Sequence, residues 1–337
     1  MRWSPKVFFE AENPKCGICS HSSEMTCIMQ PTDMYTLNVI ARLLRTNQWM
    51  KNAVIFVSII FSGKLFEVGP FLASLTACIV FCFLSSGLYI VNDMLDAPSD
   101  RRHPVKKTRP IASGEVTVRA ALIAAIALFV GALTTAVYFS PAFFLLCLLF
   151  ICLNVAYSTI LKSYAVIDIF AISFSFMVRA YAGEVVTGFH IPVWLRLTIF
   201  FLSLFIASIK RNAELTVMGA EARDTLAKYN KHFLDFLTYT FATATIIAYC
   251  LYSYIEQTPQ VSTAVNTFVA SIIPGIENRK LMTSTIPVVV YAIARYGQLF
   301  YTRVQGERPE TLIVTDVPLA GTMIIWAIMT VSIIYLL

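Results

Sequence analysis

The sequence predicts an all-α, polytopic membrane protein of about nine transmembrane helices bundled around a cytoplasm-facing cavity, and three observations carry that reading. Of the 337 residues, 57% are hydrophobic and only 14% charged, and the mean hydropathy is +0.70, well beyond a water-soluble domain. The apolar residues gather into runs of roughly 20, the length a helix needs to cross a hydrocarbon core about 30 Å thick. Lysine and arginine concentrate in alternate loops, which gives the bundle a direction.

The first 33 residues form a polar tail, expected to be flexible and cytoplasmic, ahead of one intramembrane domain over 34–337. Pro5, Pro14 and scattered charges deny this tail the apolar core of a cleavable signal peptide, so the first span itself acts as the membrane signal. Cys16, Cys19, His21 and Cys27 have zinc-ligand chemistry, but a second CxxC at finger spacing is missing, and a loose tail is the competing reading. Met34 is an alternative start of translation. Spans are predicted near 38–62, 70–91, 117–139, 141–161, 165–187, 192–209, 234–255, 281–301 and 317–337. The first is irregular, because Arg42, Arg45, Asn47, Gln48 and Lys51 precede its apolar stretch; that half lines a polar cavity or lies in the interface.

Fourteen lysines and arginines, counting Arg119 at the start of span three, fall in or beside the loops after spans two, four, six and eight, against three in the others. That bias predicts an amino terminus inside, a carboxyl terminus outside and a basic cytoplasmic face. Such a face suits anionic membrane lipid or phosphorylated ligands; no basic stripe interleaved with aromatics points to nucleic acid. The five cysteines at 78, 82, 147, 152 and 250 lie in spans, where thiols act as small hydrophobes.

The segment richest in chemistry runs from Asn92 to Gly114 at the cytoplasmic end of span two. Asp93, Asp96 and Asp100, spaced by three and four, share one helical face, where their charges need a counter-ion. Arg101, Arg102, Lys106, Lys107 and Arg109 follow as a separate block, with His103 among them. Magnesium, held by one or two carboxylates plus substrate phosphates, suits that order: acids for the metal, bases for phosphate oxygens. Exposed acid–base pairing alone is the plainer alternative, worth about 0–1 kcal/mol per pair. Pro98 predicts that the helix ends or bends between Asp96 and Asp100, which makes Asp100 the least secure ligand.

Two further clusters sit at predicted cytoplasmic ends. Tyr157 to Asp168 contains Lys162, so a lysine and an aspartate at facing helix ends bind phosphate, or else snorkel and cap. Lys210, Arg211 and Glu214 close a phosphate pocket or anchor span six. Within span five, Arg179 and Glu184 are either functional intramembrane charges or a structural pair.

The run Asn92 to Asp100 resembles the NDxxDxxxD motif of the UbiA superfamily of intramembrane prenyltransferases. Its continuation through Arg109-Pro110-Ile111-Ala112-Ser113-Gly114, the run Tyr157 to Lys162, Lys210-Arg211 with Glu214-Leu215, Leu226 with Tyr229, Phe233-Leu234-Asp235, and Arg308-Pro309-Glu310 with Asp316 resemble the branch that transfers phosphoribose to decaprenyl phosphate. The resemblance implies a UbiA-like bundle, magnesium as cofactor, phosphoribosyl pyrophosphate as electrophile and a polyprenyl monophosphate as nucleophile. Prenylating members carry a second DxxxD-type motif after span six, whereas this loop reads Glu214, Glu221 and Asp224. On this reading Asp93, Asp96 and Lys162 carry the chemistry, and Asp93, Asp96 and Asp100 hold the metal. Arg45, Lys51, Asn92, Arg101, His103, Lys106, Arg109, Tyr157, Asp168, Lys210 and Arg211 bind substrate. Two rivals remain at this stage: prenylation of an aromatic acceptor, and a transporter with a basic gate. Oligomeric state is left open.

Overall fold

The computed structural model of the protein describes residues 31–102, 106–218, 229–257, 268, 271–272, 280–302 and 315–336. The cysteine cluster at 16–27, His103, Arg223, Lys228, Glu221, Asp224, Leu226 and Arg303 with Arg308 lie outside these residues. The chain divides into Met1–Asn38, of which only the start of the first helix is described, and Val39–Leu337.

Among the described residues the α-helices named in order are α1 Pro31–Leu44, α2 Val57–Phe61, α3 Val68–Asp100, α4 Val118–Phe139, α5 Pro141–Thr159, α6 Ile167–Thr187, α7 Val193–Met218, α8 Lys231–Ile255, α9 Ile286–Thr302 and α10 Val317–Tyr335. A 3-10 segment, Thr46–Phe56, joins α1 to α2. No strand occurs among the described residues. Local signals set the ends. Thr117 accepts from the Ala120 amide at 3.3 Å, Ser140 from Phe143 at 3.1 Å with Pro141 behind it, and Asp316 from Leu319 at 3.0 Å; each oxygen satisfies an amide that the first turn leaves unpaired.

Seven of the described helices are long and apolar enough to cross a membrane, so the expected count of nine is not reproduced among them. The predicted span 38–62 is the end of α1, the 3-10 segment and the five-residue α2, broken where Arg45 takes a left-handed backbone at φ 51°. The predicted span 281–301 is a short 3-10 turn followed by the 17-residue α9. Helix α3 departs in the other direction. Its 33 residues rise roughly 50 Å, well beyond a hydrocarbon core of about 30 Å. Asn92 to Asp100 make up its carboxyl-terminal end. Pro98 lies inside this helix, and the Arg101 amide still reaches the Ala97 carbonyl at 3.2 Å. The helix therefore continues two residues past Pro98 and ends at Asp100, the far edge of the expected interval, because the donor that proline lacks is only one rung of the ladder.

In lipid the helices gain little from apolar burial as such, so packing contacts hold them together. Ala77, Ala132 and Ala136 let Phe81, Phe143 and Phe150 interleave between α3, α4 and α5, with the Phe81 and Phe150 rings 5.0 Å apart. A second core gathers Ile169, Leu204, Phe205, Leu234 and Phe241 from α6, α7 and α8. The tightest approach is at Gly183 of α6, where an added Cβ would stand 2.0 Å from the Ile55 carbonyl oxygen. Gly183→Ala must therefore push the 3-10 segment away from α6. Overpacking of this kind costs about 1–3 kcal/mol, so the variant is expected to melt several degrees below the parent in detergent; an unchanged midpoint would show that the segment yields freely.

The Arg179–Glu184 pair that the sequence allowed does not form. Glu184 faces His190, Oε1 to Nδ1 2.5 Å, and accepts from the Ile191 amide at 3.3 Å. Arg179 binds neutral groups instead, Asn52 and Ser175.

Candidate active site

The end of α3 assembles four charged residues. Asp93 and Asp100, two helical turns apart, are only 4% and 2% exposed. Arg45 grips Asp93 with two donors, Nη2 to Oδ1 at 2.5 Å and Nε to Oδ2 at 3.3 Å. Arg109 bridges both acids through one nitrogen, Nη1 to Asp93 Oδ1 at 3.0 Å and to Asp100 Oδ2 at 2.6 Å. Two carboxylates thus meet two guanidiniums. Buried charges persist only when paired and hydrogen-bonded in this way.

Each arginine is aimed by its own backbone. Arg45 owes its direction to the left-handed turn between α1 and the 3-10 segment, and its guanidinium lies 4.8 Å from the centre of the Tyr89 ring, one turn before Asp93 on α3. Arg109 follows a one-turn 3-10 helix, Lys106–Thr108, and its carbonyl accepts from the Ser113 amide at 2.8 Å. Pro110, Ile111 and Ala112 are buried behind it and root the loop. Arg42 holds the loop from outside, donating to the Thr108 carbonyl at 3.1 Å and pairing with Glu115.

Of the remaining predicted residues, Asp96 is exposed, and Arg101, Lys106 and Lys107 present exposed cations beyond it. Asn92 donates to Ser158 on α5 at 3.3 Å. Lys51 is half-buried in the 3-10 segment, Lys162 half-buried in the turn after α5, and Lys210 half-buried near the end of α7. Among the described residues no three histidine, cysteine, aspartate or glutamate side chains stand close enough to hold a metal ion. The predicted aspartate triad therefore does not converge as it stands: Asp93 and Asp100 are turned to arginines, while Asp96 faces outward.

Tyr157, Asp168 and Arg211 form a second network. Arg211 is 2% exposed, lies 2.5 Å from Asp168 by Nε to Oδ2, donates to the Tyr157 hydroxyl at 2.6 Å and pairs with Glu214. The contact with Asp168 is one of charge, since its angle falls short of a hydrogen bond. Tyr229 supplies the aligned bond, hydroxyl to Asp168 Oδ1 at 2.6 Å, while accepting from the Val166 amide at 2.6 Å. Burial pushes the Tyr229 phenol up from its ordinary value, and the Asp168 bond adds to that, so it stays a proton donor. Next to it, Asn212 donates to Asp235 at 2.7 Å, as does the Tyr301 hydroxyl. Tyr89 and Asn52 escaped the sequence reading, and Tyr229 entered it only within the family resemblance, without a site role. Tyr89 left a signal of its own, four residues before Asp93 on the same helix face.

The sequence profile of the UbiA prenyltransferase family matches residues 53–213. The decaprenyl-phosphate phosphoribosyltransferase of Corynebacterium glutamicum is 35% identical over 220 residues, covering 63% of this chain and 66% of that one. That of Mycolicibacterium smegmatis is 33% identical over 245 residues, covering 70% and 76%. The chain thus spans roughly two thirds to three quarters of the length of these relatives. A solved UbiA homolog from Archaeoglobus fulgidus, bound to GPP and Mg2+, superposes with a TM-score of 0.61 at 19% identity, covering 88% of this chain and 99% of that one. With seven long apolar helices, such kinship makes this an integral membrane protein.

Proposed function

We propose that this chain, which belongs to the UbiA prenyltransferase family, transfers 5-phosphoribose from phosphoribosyl pyrophosphate to a polyprenyl monophosphate such as decaprenyl phosphate, releasing pyrophosphate. The observation that carries the reading is the Asp93–Arg45–Arg109–Asp100 cluster at the end of α3, in a chain one third identical to phosphoribosyltransferases of that acceptor.

The donor set fits magnesium: Asp93, Asp96 and Asp100 offer hard oxygen ligands from a single helix end, and Asp96 is open to solvent. Magnesium, when bound, would supply positive charge to the leaving pyrophosphate. The chain's own residues do the rest. Arg45 and Arg109 neutralise the aspartates in the resting arrangement and would turn N–H donors to the phosphate oxygens of a bound donor. Arg101, Lys106 and, beyond the described residues, His103 line the pyrophosphate side. Lys162 and Lys51 hold the lipid phosphate for attack on the anomeric carbon from the opposite face, with inversion. A phosphate monoester is already anionic, so no general base is needed. Tyr157, Asp168, Lys210 and Arg211 form the wall of the pocket, and the prenyl chain lies between apolar spans. We place the site at the cytoplasmic face of the cell membrane, amino terminus in and carboxyl terminus out, because the basic loops gather there.

Purified chain offered labelled phosphoribosyl pyrophosphate and decaprenyl phosphate is expected to yield a lipid-linked phosphoribose. Prenyl diphosphate with hydroxybenzoate is expected to yield nothing, and the reverse outcome would replace this reading by aromatic prenylation. Chelation by excess EDTA is expected to suppress transfer at least a hundredfold, restored by magnesium; turnover unaffected by chelator would remove the metal from the scheme.

A further inference from the structure

Eleven consecutive residues in 3-10 winding, Thr46–Phe56, far exceed the three or four at which such helices usually stop. The segment is held from outside. Three residues per turn make positions i, i+3 and i+6 eclipse, and Trp49, Asn52 and Ile55 form one such row. Each member is fastened to a neighbouring span. Trp49 Nε1 donates to Ser86 Oγ at 3.0 Å, Asn52 Nδ2 to Cys82 Sγ at 3.2 Å, and the Ile55 carbonyl rests over the bare Cα of Gly183. The segment begins after its cap residue Arg45, whose left-handed backbone at φ 51° turns the side chain onto Asp93, and the winding carries Gln48 and Lys51 on a second row.

The middle rung of the fastened row is closed by Arg179. This residue is 6% exposed, inside α6, where an unpaired charge is costly. Nε donates to Asn52 Oδ1 at 2.7 Å, and Nη1 donates to the Ser175 carbonyl and hydroxyl at 2.8 Å each. Its plane lies 4.6 Å from the Phe150 ring centre and 5.4 Å from that of Phe176. Among the described residues it has no carboxylate partner. Neutral dipoles and ring faces hold a rigid fork whose Nε is directed at the side chain of Asn52.

We infer that Arg179 is a positioning residue for the transfer reaction: through Asn52 it locks the 3-10 winding of residues 46–56, and so holds Arg45, at the head of the segment, on Asp93 and fixes the direction of Lys51 within it. The inference rests on the function proposed above. Seven residues of 3-10 helix separate Arg45 from Asn52, roughly 14 Å at 2.0 Å per residue, so Arg179 acts through the segment and touches no reacting group.

The test compares full-length Arg179→Gln, Asn52→Ala and the double variant in detergent. Each single change is expected to raise KM for phosphoribosyl pyrophosphate or decaprenyl phosphate tenfold or more, with kcat within about threefold and melting midpoints within a few degrees. The double variant should be no worse than the worse single one, because both break one tie. Additive losses, or activity falling only in step with folded protein, would overturn the inference. A second readout does not depend on transfer. Lys51→Cys should react with a charged maleimide at a rate changed at least threefold by Arg179→Gln, measured above the labelling of the chain without the added cysteine. An unchanged rate rejects the register lock even if the unaltered chain proves to transfer no phosphoribose; a changed rate in such a chain would retain the lock and discard the proposed chemistry.

Discussion

Asp93→Ala is expected to cut pyrophosphate release by a factor of at least about 10³ while leaving the protein in the membrane. Removing a single preorganised charge-stabilising donor from an active site costs about 10²–10³ in rate, and Asp93 does more than one such group. It is the carboxylate on which Arg45 and Arg109 converge, so its loss takes from Arg45 both of these hydrogen bonds and leaves Arg109 with Asp100. The same loss removes one of the oxygen ligands of the proposed metal set. Folding should survive, because the residue lies at the carboxyl-terminal end of α3, beyond the packed aromatic layers around Phe81 and Phe150. Asp93→Asn, which keeps the shape and two hydrogen-bonding atoms but drops the charge, should be nearly as inactive. The measurement is release of labelled pyrophosphate at equal amounts of membrane-inserted protein. Full activity of Asp93→Ala would remove both the metal assignment and the electrostatic account of the cluster.

What was legible in the chain follows from how far each signal reaches. Spans α3 to α8 and α10 declare themselves through unbroken apolar runs, since a run of that length has no other stable home. The aspartates and Arg109 were legible together because they are close in sequence and spaced along one helix. Arg45 was legible as a substrate-binding residue; its grip on Asp93, 48 residues away, depends on a left-handed turn that its own sequence does not announce. The 3-10 segment was read as the irregular half of a span for the same reason. Its winding is imposed by Ser86, Arg179 and Gly183 from two other helices, and local periodicity carries no trace of them. Arg179 and Glu184 looked like partners because they are five residues apart, yet each found a different neighbour across the fold. At Pro98 the local rule held closely, since the helix ends at Asp100, two residues past it.

Arg211→Met is expected to destabilise the protein by about 3–5 kcal/mol, the cost of stranding one member of a buried ion pair. Its guanidinium is 2% exposed and committed to Asp168, Glu214 and Tyr157; without it the carboxylate of the fully buried Asp168 keeps, among the described residues, the Tyr229 hydroxyl alone. A loss of that size should lower the melting midpoint by on the order of 10 °C. The decisive companion is the pair Asp168→Leu with Arg211→Met. Replacing a buried ion pair by apolar side chains of similar volume is often neutral or stabilising, so the double variant should regain most of the lost stability. Its activity then separates two roles. If the network only ties α6 to α7 and Tyr229, the restored protein should bind phosphoribosyl pyrophosphate with a KM within a few fold of the parent. If the pair belongs to the phosphate pocket, as the position of both residues beside Lys162 and Lys210 in the sequence suggests, KM should stay raised tenfold or more although the fold has recovered. The dense internal partnering of Arg211 favours the first result, because a guanidinium already holding three neighbours has little left to offer a ligand.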